Sequence, residues 1–363
     1  MNKPVKLLRG DTVAVVSLSS GVLGEEFAKH QLEIAEKRLL DVFGLNVQYM
    51  DNSLRGMKYL SAHPEARADD LKQAMLDDSI KAIIVATGGD DTFKTIPYLM
   101  EDEEFIHAVK TRPKIFLGFS DTTNNHLMFY KIGMPTFYGV DFLSDFGELD
   151  NNMLSHTKAC FQDMFFNDKS GLEIESSPTW YKKRTKYSED QIGTSRDKVN
   201  EATGFETLQG QTARQSVQGK LLGGCIESLY EMMAGERYKQ QPSIINKYGI
   251  FPEWRDWNDK ILFLESSEAL SAPDRMQYMI DYLGKYISFG SLRSIIIGKP
   301  QDNVYYEEYK DIWQEVANRH DLPVLYNVNY GHSYPHCILP YDAETEIDLA
   351  KKKLFITSPL FSN

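Results

Sequence analysis

The chain has 363 residues, of which 42% are hydrophobic and 25% are charged, and its formal net charge is −12. These proportions are close to globular averages and exclude a disordered, collagen-like or disulfide-scaffold protein. The negative charge argues against a nucleic-acid or anionic-membrane partner, because both favour a basic surface. Cys160, Cys225 and Cys337 are too scattered for a disulfide framework and fit a reducing compartment. We therefore expect a cytoplasmic protein.

The N-terminal segment contains an apolar stretch from Val13 to Val22, which follows three basic residues. A signal peptide has a similar pattern, but this stretch is short, contains serines and leads into a helical pattern without a small-residue cleavage site. We interpret it as a buried first strand. No run reaches the roughly 18 apolar residues of a membrane helix.

The first third of the chain alternates apolar runs with amphipathic segments. Strands are predicted over Thr12–Ser17, Leu45–Met50, Lys81–Ala86 and Ile115–Leu117. Helices are predicted over Glu25–Phe43, Pro64–Leu76, Thr92–Met100 and Thr122–Ile132. Near-continuous apolar strands joined by helices are typical of a parallel sheet that is covered on both faces. Ligands bind such sheets at the carboxyl ends of the strands.

The composition changes after about residue 165. Residues 167–218 are polar, and we interpret them as a connection with an inserted surface loop. The α/β pattern then returns, with strands predicted over Ile261–Leu264, Ser294–Ile297 and Val324–Tyr326 and helices over Ile226–Ala234, Pro273–Tyr282 and Val304–Asn318. The predicted organisation is a domain over 1–165, a connection over 166–218 and a second domain over 219–363.

Ser120 is the strongest candidate nucleophile. It lies in the segment Lys114–Thr123 (KIFLGFSDTT), where a short buried strand turns directly into a helix. A serine on such a turn is placed as in a nucleophile elbow, and the next N–H, that of Asp121, points to where an oxyanion would form. The alternative is that Ser120 or Asp121 only caps the helix.

Three further segments could complete a site. The loop Thr87–Asp91 (TGGDD) is either an oxyanion loop or a tight turn between strand and helix. Glu265 ends a buried strand, and His332 follows Gly331 in a loop near another strand end. A serine nucleophile needs a base and an orienting carboxylate, and these residues supply one of each. Pro335 excludes the helical geometry that would let His332 and His336 share a metal, so we expect no metal site.

The ordered set of motifs resembles the LD-carboxypeptidase family of serine peptidases, in particular its microcin C self-immunity branch. The resemblance covers nearly the whole chain. Its segments are Ser61–Leu71, the GGDD loop, GFSDTT, Tyr138-Gly139, the Trp180 region, Gly219–Glu227, ILFLESSE and GHSYPHCILPYDAETEID.

The resemblance implies roles for individual residues. The nucleophile would be Ser120, the carboxylate Glu265 and the base His332. Gly89 and the N–H of Asp121 would form the oxyanion hole, without metal or cofactor. Further substrate contacts would fall on Gly88, Trp180, Gly224 and Cys225. Cys225 stands where the family usually has asparagine, and Tyr341 stands where a glycine is expected.

The family also implies a fold and two substrate classes. The fold is a flavodoxin-like parallel-sheet domain followed by a smaller mixed α/β domain, in a homodimer. The substrate would be an aminoacyl-nucleotide conjugate or a murein tetrapeptide; a non-catalytic binding protein is the third alternative. Trp180 lies beside Lys182, Lys183 and Arg184, so it would either stack on a purine or pack in the core.

Overall fold

The computed structural model describes residues 1–167 and 171–362. Its first half contains five strands and seven α-helices. The strands are β1 Thr12–Val16, β2 Asn46–Tyr49, β3 Ile80–Val85, β4 Ile115–Gly118 and β5 Phe137–Tyr138. The helices are α1 Lys29–Arg38, α2 Gly56–Ala62, α3 Pro64–Leu76, α4 Ile96–Met100, α5 Glu103–Thr111, α6 Thr123–Ile132 and α7 Ser155–Phe165.

The rest of the described chain supplies a second α/β unit. Its strands are β6 Leu172–Ile174, β7 Thr179–Tyr181, β8 Lys198–Asn200, β9 Glu206–Leu208, β10 Ser216–Cys225, β11 Lys260–Glu265, β12 Ser294–Gly298, β13 Val324–Val328, β14 Leu339–Pro340, β15 Glu344–Asp348 and β16 Lys353–Ile356. Its helices are α8 Ile226–Ala234, α9 Gln241–Tyr248, α10 Pro273–Leu283 and α11 Tyr306–His320.

The first sheet has the order β14-β5-β4-β3-β1-β2, and its five N-terminal strands run parallel. Within it, the order 2-1-3-4-5 is that of flavodoxin-like folds, whose ligands bind where the strand order reverses. The strands are continuous apolar runs such as Val13–Val16, which are buried because helices cover both faces. The predicted parallel α/β domain is confirmed.

The second sheet is mixed, with the order β6-β16-β15-β10-β11-β12-β13-β9. Its four central strands, β10 to β13, are parallel, while both flanks pair antiparallel. The predicted mixed α/β domain is therefore confirmed. Strand β14 crosses back and pairs with β5 of the first sheet, which ties the two sheets together.

The structure differs from the predicted elements mainly where the chain is polar. Residues 166–218 contain β6 and β9 of the large sheet and the separate pair β7–β8, whereas periodicity predicted only a connection. Residues 168–170 of that connection lie outside the described residues. Short strands carry too few alternating positions to give a period-2 signal, so pairing across the sheet decides them.

Two helices start four residues later than predicted. The segment Glu25–Phe43 begins with a 3-10 turn before α1, and Thr92–Met100 begins with the 3-10 turn Thr92–Thr95 before α4, which has a proline in its first turn. Proline is accommodated at the start of a helix because its missing N–H would be unpaired there anyway. Among the described residues, no helix is long and apolar enough to cross a membrane.

Candidate active site

Ser120 lies on a sharp turn between strand and helix. Strand β4 ends at Gly118, and a 3-10 turn over Ser120–Thr122 leads directly into α6. Ser120 has φ +62°, a left-handed conformation that a residue with a side chain adopts at an energetic cost and that occurs often at functional sites. No side-chain cap bond forms at the start of this turn or of α6, so the capping alternative finds no support in these contacts.

Glu265, which is buried, and His332, which is partly buried, form a pair at the carboxyl edge of the second sheet. Glu265 ends β11, and His332 lies in the loop after β13. Nδ1 of His332 is 2.8 Å from Oε2 of Glu265. Gly331, with φ +84°, lets the loop pass close to the carboxylate, because a Cβ there would lie 2.4 Å from Cγ of Glu265.

This pairing shifts both pKa values toward the charged forms. Burial by itself raises the pKa of Glu265, but the positive charge of His332 and hydrogen bonds from His332 and Tyr138 outweigh it and hold that pKa below its usual range. Burial also lowers the pKa of His332, and Glu265 outweighs it, so the imidazole is more basic than a free histidine. The arrangement orients the ring and stabilises an imidazolium.

Two residues with backbone N–H groups that are unpaired in the described chain, Gly89 and Asp121, line the same cleft as Ser120 and His332. Among residues 1–167 and 171–362, neither Gly89 N–H nor Asp121 N–H donates to another residue. The hydroxyl of Ser19 donates to the carboxylate of Asp121 at 2.8 Å and accepts the N–H of Asp91 at 3.2 Å. Ser19 therefore links the Gly-Gly loop to the turn that carries Ser120. Two free N–H groups near a nucleophile can stabilise an oxyanion.

Asp121 itself is buried beneath this arrangement. Burial raises the pKa of its carboxyl to about 6, against hydrogen bonds from Thr92 N–H and Ser19. The Asp121 carboxylate thus fixes the neighbouring segments through the hydrogen bonds that it accepts from Thr92 and Ser19. The backbone N–H of Asp121 takes no part in these bonds.

The site opens into a cleft with two lobes. The first lobe, about 250 Å³, is lined by Asp90, Asp121, Cys225, Glu227, Ser228, Glu231, Arg237, Gln241, Ser267 and Ala269. The second lobe, about 290 Å³, is lined by Ser20, Val22, Thr87, Gly88, Phe119, Asp141, Ser144, Lys183, Gln301 and Tyr334. Both lobes are bordered by Gly89, Ser120, Glu268 and His332.

Ser120 and His332, the predicted nucleophile and base, thus share one cleft, with space on both sides of them. Among the described residues, Ser120 N–H is hydrogen-bonded to Tyr138 and His332 to Glu265, and no hydrogen bond joins the Ser120 hydroxyl to His332. Such bonds are often long in ligand-free enzymes and tighten when substrate binds.

The remaining predicted residues divide into two groups. Gly88 and Cys225 line the cleft. Gly224 does not; it packs against Thr123, where an added Cβ would lie 2.4 Å from Cγ2. Trp180 lines neither lobe: it is 7% exposed, and the ammonium of Lys299 lies 5.2 Å from its ring centroid.

The two late histidines have separate partners. His332 faces Glu265, while Nδ1 of His336 lies 2.9 Å from Oδ1 of Asp145. Within the described parts of the chain, no three His, Cys, Asp or Glu residues converge on a metal position.

Sequence reasoning missed Tyr138 and Ser19 as parts of the site. Tyr138 ends β5, the strand next to that of the nucleophile, and Ser19 follows β1. Both therefore come at the carboxyl edge of the sheet, where ligands bind. Their position after a strand was a usable signal, but their partners depend on how the two sheets meet.

Comparisons with known proteins identify the family of the chain. A model of the LD-carboxypeptidase N-terminal domain matches residues 13–139, and one of the C-terminal domain matches residues 218–347. The crystal structure of an MccF-like protein from Streptococcus pneumoniae in complex with AMP is 39% identical, covers 96% of this chain and 99% of its own, and superposes with a TM-score of 0.89.

Two curated relatives are also similar over most of their length. One is a probable murein peptide carboxypeptidase of Bacillus subtilis (strain 168), 30% identical, with 98% of this chain and 94% of that protein covered. The other is the microcin C7 self-immunity protein MccF of Escherichia coli, 25% identical, with 84% and 81% covered. The chain belongs to the LD-carboxypeptidase family.

Proposed function

We propose that this protein is a serine amidase that hydrolyses a small peptide-like amide through Ser120, His332 and Glu265. One observation carries the proposal: Ser120 and His332 border both lobes of one cleft, and a buried carboxylate holds the far side of the imidazole. Nucleophile, base and orienting carboxylate are the parts that acyl transfer requires.

The proposed reaction uses only residues of this chain. His332 Nε2 takes the proton of the Ser120 hydroxyl as its oxygen adds to the carbonyl carbon, and the N–H groups of Gly89 and Asp121 hold the oxyanion. The imidazolium then gives that proton to the leaving nitrogen as the C–N bond breaks. A water molecule repeats the sequence on the acyl-enzyme and restores Ser120.

An aminoacyl-nucleotide conjugate is the preferred substrate class. The 39% identical relative from Streptococcus pneumoniae binds AMP, and MccF of Escherichia coli is a microcin self-immunity protein. The first lobe also suits a free α-ammonium group, since Glu227 and Glu231 line it. Its one lining cation, Arg237, is already engaged by Asp90 at 3.0 Å.

A murein tetrapeptide is the second candidate, favoured by the 30% identical relative from Bacillus subtilis. A carboxypeptidase must hold the terminal carboxylate of its substrate beside the scissile bond. Two cations line the described lobes, Arg237 and Lys183, and both are in ion pairs, the second with Glu268 at 2.7 Å. Binding a carboxylate would require one of these pairs to open, so this substrate is the less favoured one.

The test is a side-by-side assay of the purified protein. It uses an aminoacyl sulfamoyl adenosine, the same compound with its α-amine acetylated, and a murein tetrapeptide. We expect the first to be cleaved and acetylation to reduce kcat/KM. Preferred cleavage of the tetrapeptide would select the murein function, and no cleavage of any of them, with no labelling of Ser120 by a fluorophosphonate probe, would favour a binding protein.

Assembly and location also remain proposals. We propose a homodimer in the cytoplasm. A single species of one chain's mass in light scattering would contradict the dimer.

A further inference from the structure

Tyr138 is hydrogen-bonded to both halves of the site. Its hydroxyl accepts the N–H of Ser120 at 2.9 Å and donates to Oε1 of Glu265 at 2.6 Å. The other carboxylate oxygen, Oε2, faces His332. One fully buried phenol therefore joins the backbone of the nucleophile, on the first sheet, to the carboxylate of the second sheet.

Each of these two hydrogen bonds satisfies a polar group of the site. Ser120 sits at φ +62° with its N–H at the turn, and an unpaired buried N–H there would favour another backbone conformation. Glu265 is 2% exposed, so its Oε1 needs a donor from the protein. A phenylalanine would fill the same space, but it could neither accept the Ser120 N–H nor donate to Glu265, which would keep only the hydrogen bonds from His332 and Cys225.

We propose that Tyr138 is a positioning residue that sets the conformation of the nucleophile turn and limits how strongly Glu265 holds His332. This inference rests on the proposed triad and goes beyond it, since it assigns a role to a residue that touches no substrate. Tyr138 connects the two sheets through its hydrogen bonds, and it acts on the reaction only through Ser120 and Glu265.

The electrostatic consequence has a definite sign. Donation from Tyr138 withdraws part of the carboxylate's negative charge from the imidazole. Without it, Glu265 stabilises the imidazolium more strongly, and the pKa of His332 rises. Besides Tyr138, the titratable groups that face this pair are Glu227, Glu268, Cys225, Tyr330 and Tyr341. Tyr138→Phe leaves the side chains of all five in the protein, so the change it makes at the pair is the loss of one hydroxyl.

The experiment compares Tyr138→Phe with Tyr341→Phe. Tyr341 is the matched control because it is equally buried in the same aromatic cluster, but its hydroxyl donates to Gly223 O rather than to Glu265 or the Ser120 backbone. We expect Tyr138→Phe to lower kcat about 10- to 100-fold, as for lost buried hydrogen bonds to a charged group, with a smaller change in KM. We also expect NMR titration of the His332 ring to give a higher pKa, and neither change in Tyr341→Phe.

The titration needs no turnover, which separates this inference from the proposed function. If the wild-type protein is inactive but Tyr138→Phe raises the His332 pKa, the amidase proposal fails and the positioning role stands. A loss of kcat with an unchanged His332 pKa would overturn the inference, because packing damage alone would have that result.

A second variant covers the case in which Tyr138→Phe does not fold. Replacing Tyr138 with 3,5-difluorotyrosine keeps the hydroxyl and makes it a stronger donor. The inference then requires a lower His332 pKa, and a value equal to or above that of the wild type would overturn it.

Discussion

The two sheets contribute to the cleft in different ways. The first sheet supplies backbone geometry: Ser120 at φ +62° and the N–H groups of Gly89 and Asp121. The second sheet supplies side-chain chemistry, a buried Glu265 and the histidine that it holds at 2.8 Å. The first contribution is therefore sensitive to sterics, whereas the second is sensitive to charge and pH. Substitutions can test the two separately.

The largest effect is expected at the nucleophile. Ser120→Ala should lower kcat by about 10⁴- to 10⁶-fold, because the members of a triad act as a unit. The fold should be retained, since alanine is smaller and the residue borders a cleft. Steady-state kinetics measures the loss of kcat, and thermal unfolding checks that the fold is retained. Ser61→Ala, at an exposed serine, is the control. Wild-type hydrolysis by Ser120→Ala would refute serine catalysis.

The next effect tests the backbone contribution. Gly89 has φ +156°, and a Cβ there would lie 2.2 Å from Oγ of Ser19, so Gly89→Ala must displace the loop. Loss of one oxyanion donor typically lowers kcat about 10²- to 10³-fold, and we expect that range.

Gly133→Ala is the matched control for this variant. Gly133 also has a positive φ, +108°, but nothing lies within 4 Å of its added Cβ. It should reproduce the backbone strain and leave kcat intact. Equal kinetic losses in both variants would remove Gly89 from the oxyanion hole.

The pH dependence tests the side-chain contribution. His332 must be neutral to accept a proton, and Glu265 holds its pKa above that of a free histidine, about 6.5. The kcat/KM should therefore fall as pH drops through a limb above that value. Glu265→Gln should move the limb to lower pH while also lowering the maximum. A profile that stays flat from pH 5 to 8 would exclude His332 as the base.

The smallest effect on substrate preference, between nucleotide and peptide substrates, is expected at Trp180. The residue is buried and lines neither lobe, so Trp180→Ala should lower the free energy of unfolding by about 3–5 kcal/mol, as for large core truncations. Cleavage of nucleotide and peptide substrates should change equally, and the exposed Trp254→Ala should change neither activity nor stability. A selective loss of about 1–3 kcal/mol on the nucleotide substrate would instead support base stacking.

The sequence predicted the long elements of the two α/β domains better than it predicted the structure of residues 166–218. Long apolar strands such as Lys81–Ala86 were predicted correctly, because burial of a whole strand leaves a local apolar pattern. The short strands within 166–218 were not readable. Two of them, β6 and β9, pair with β16 and β13, which lie far along the chain.

In the site, too, some features followed from the sequence and others only from the tertiary structure. By itself, the sequence predicted that Ser120, Glu265 and His332 each lie at or near the end of a strand, and the resemblance to a family joined them as a triad. Only the tertiary structure decided that Tyr138 bridges Ser120 and Glu265, since Tyr138 and Glu265 are 127 residues apart and belong to different sheets. It also decided that Trp180 packs against Lys299 and lines neither lobe. A sequence pattern records which face of an element is apolar, whereas the partners of a buried polar group depend on how separate elements meet.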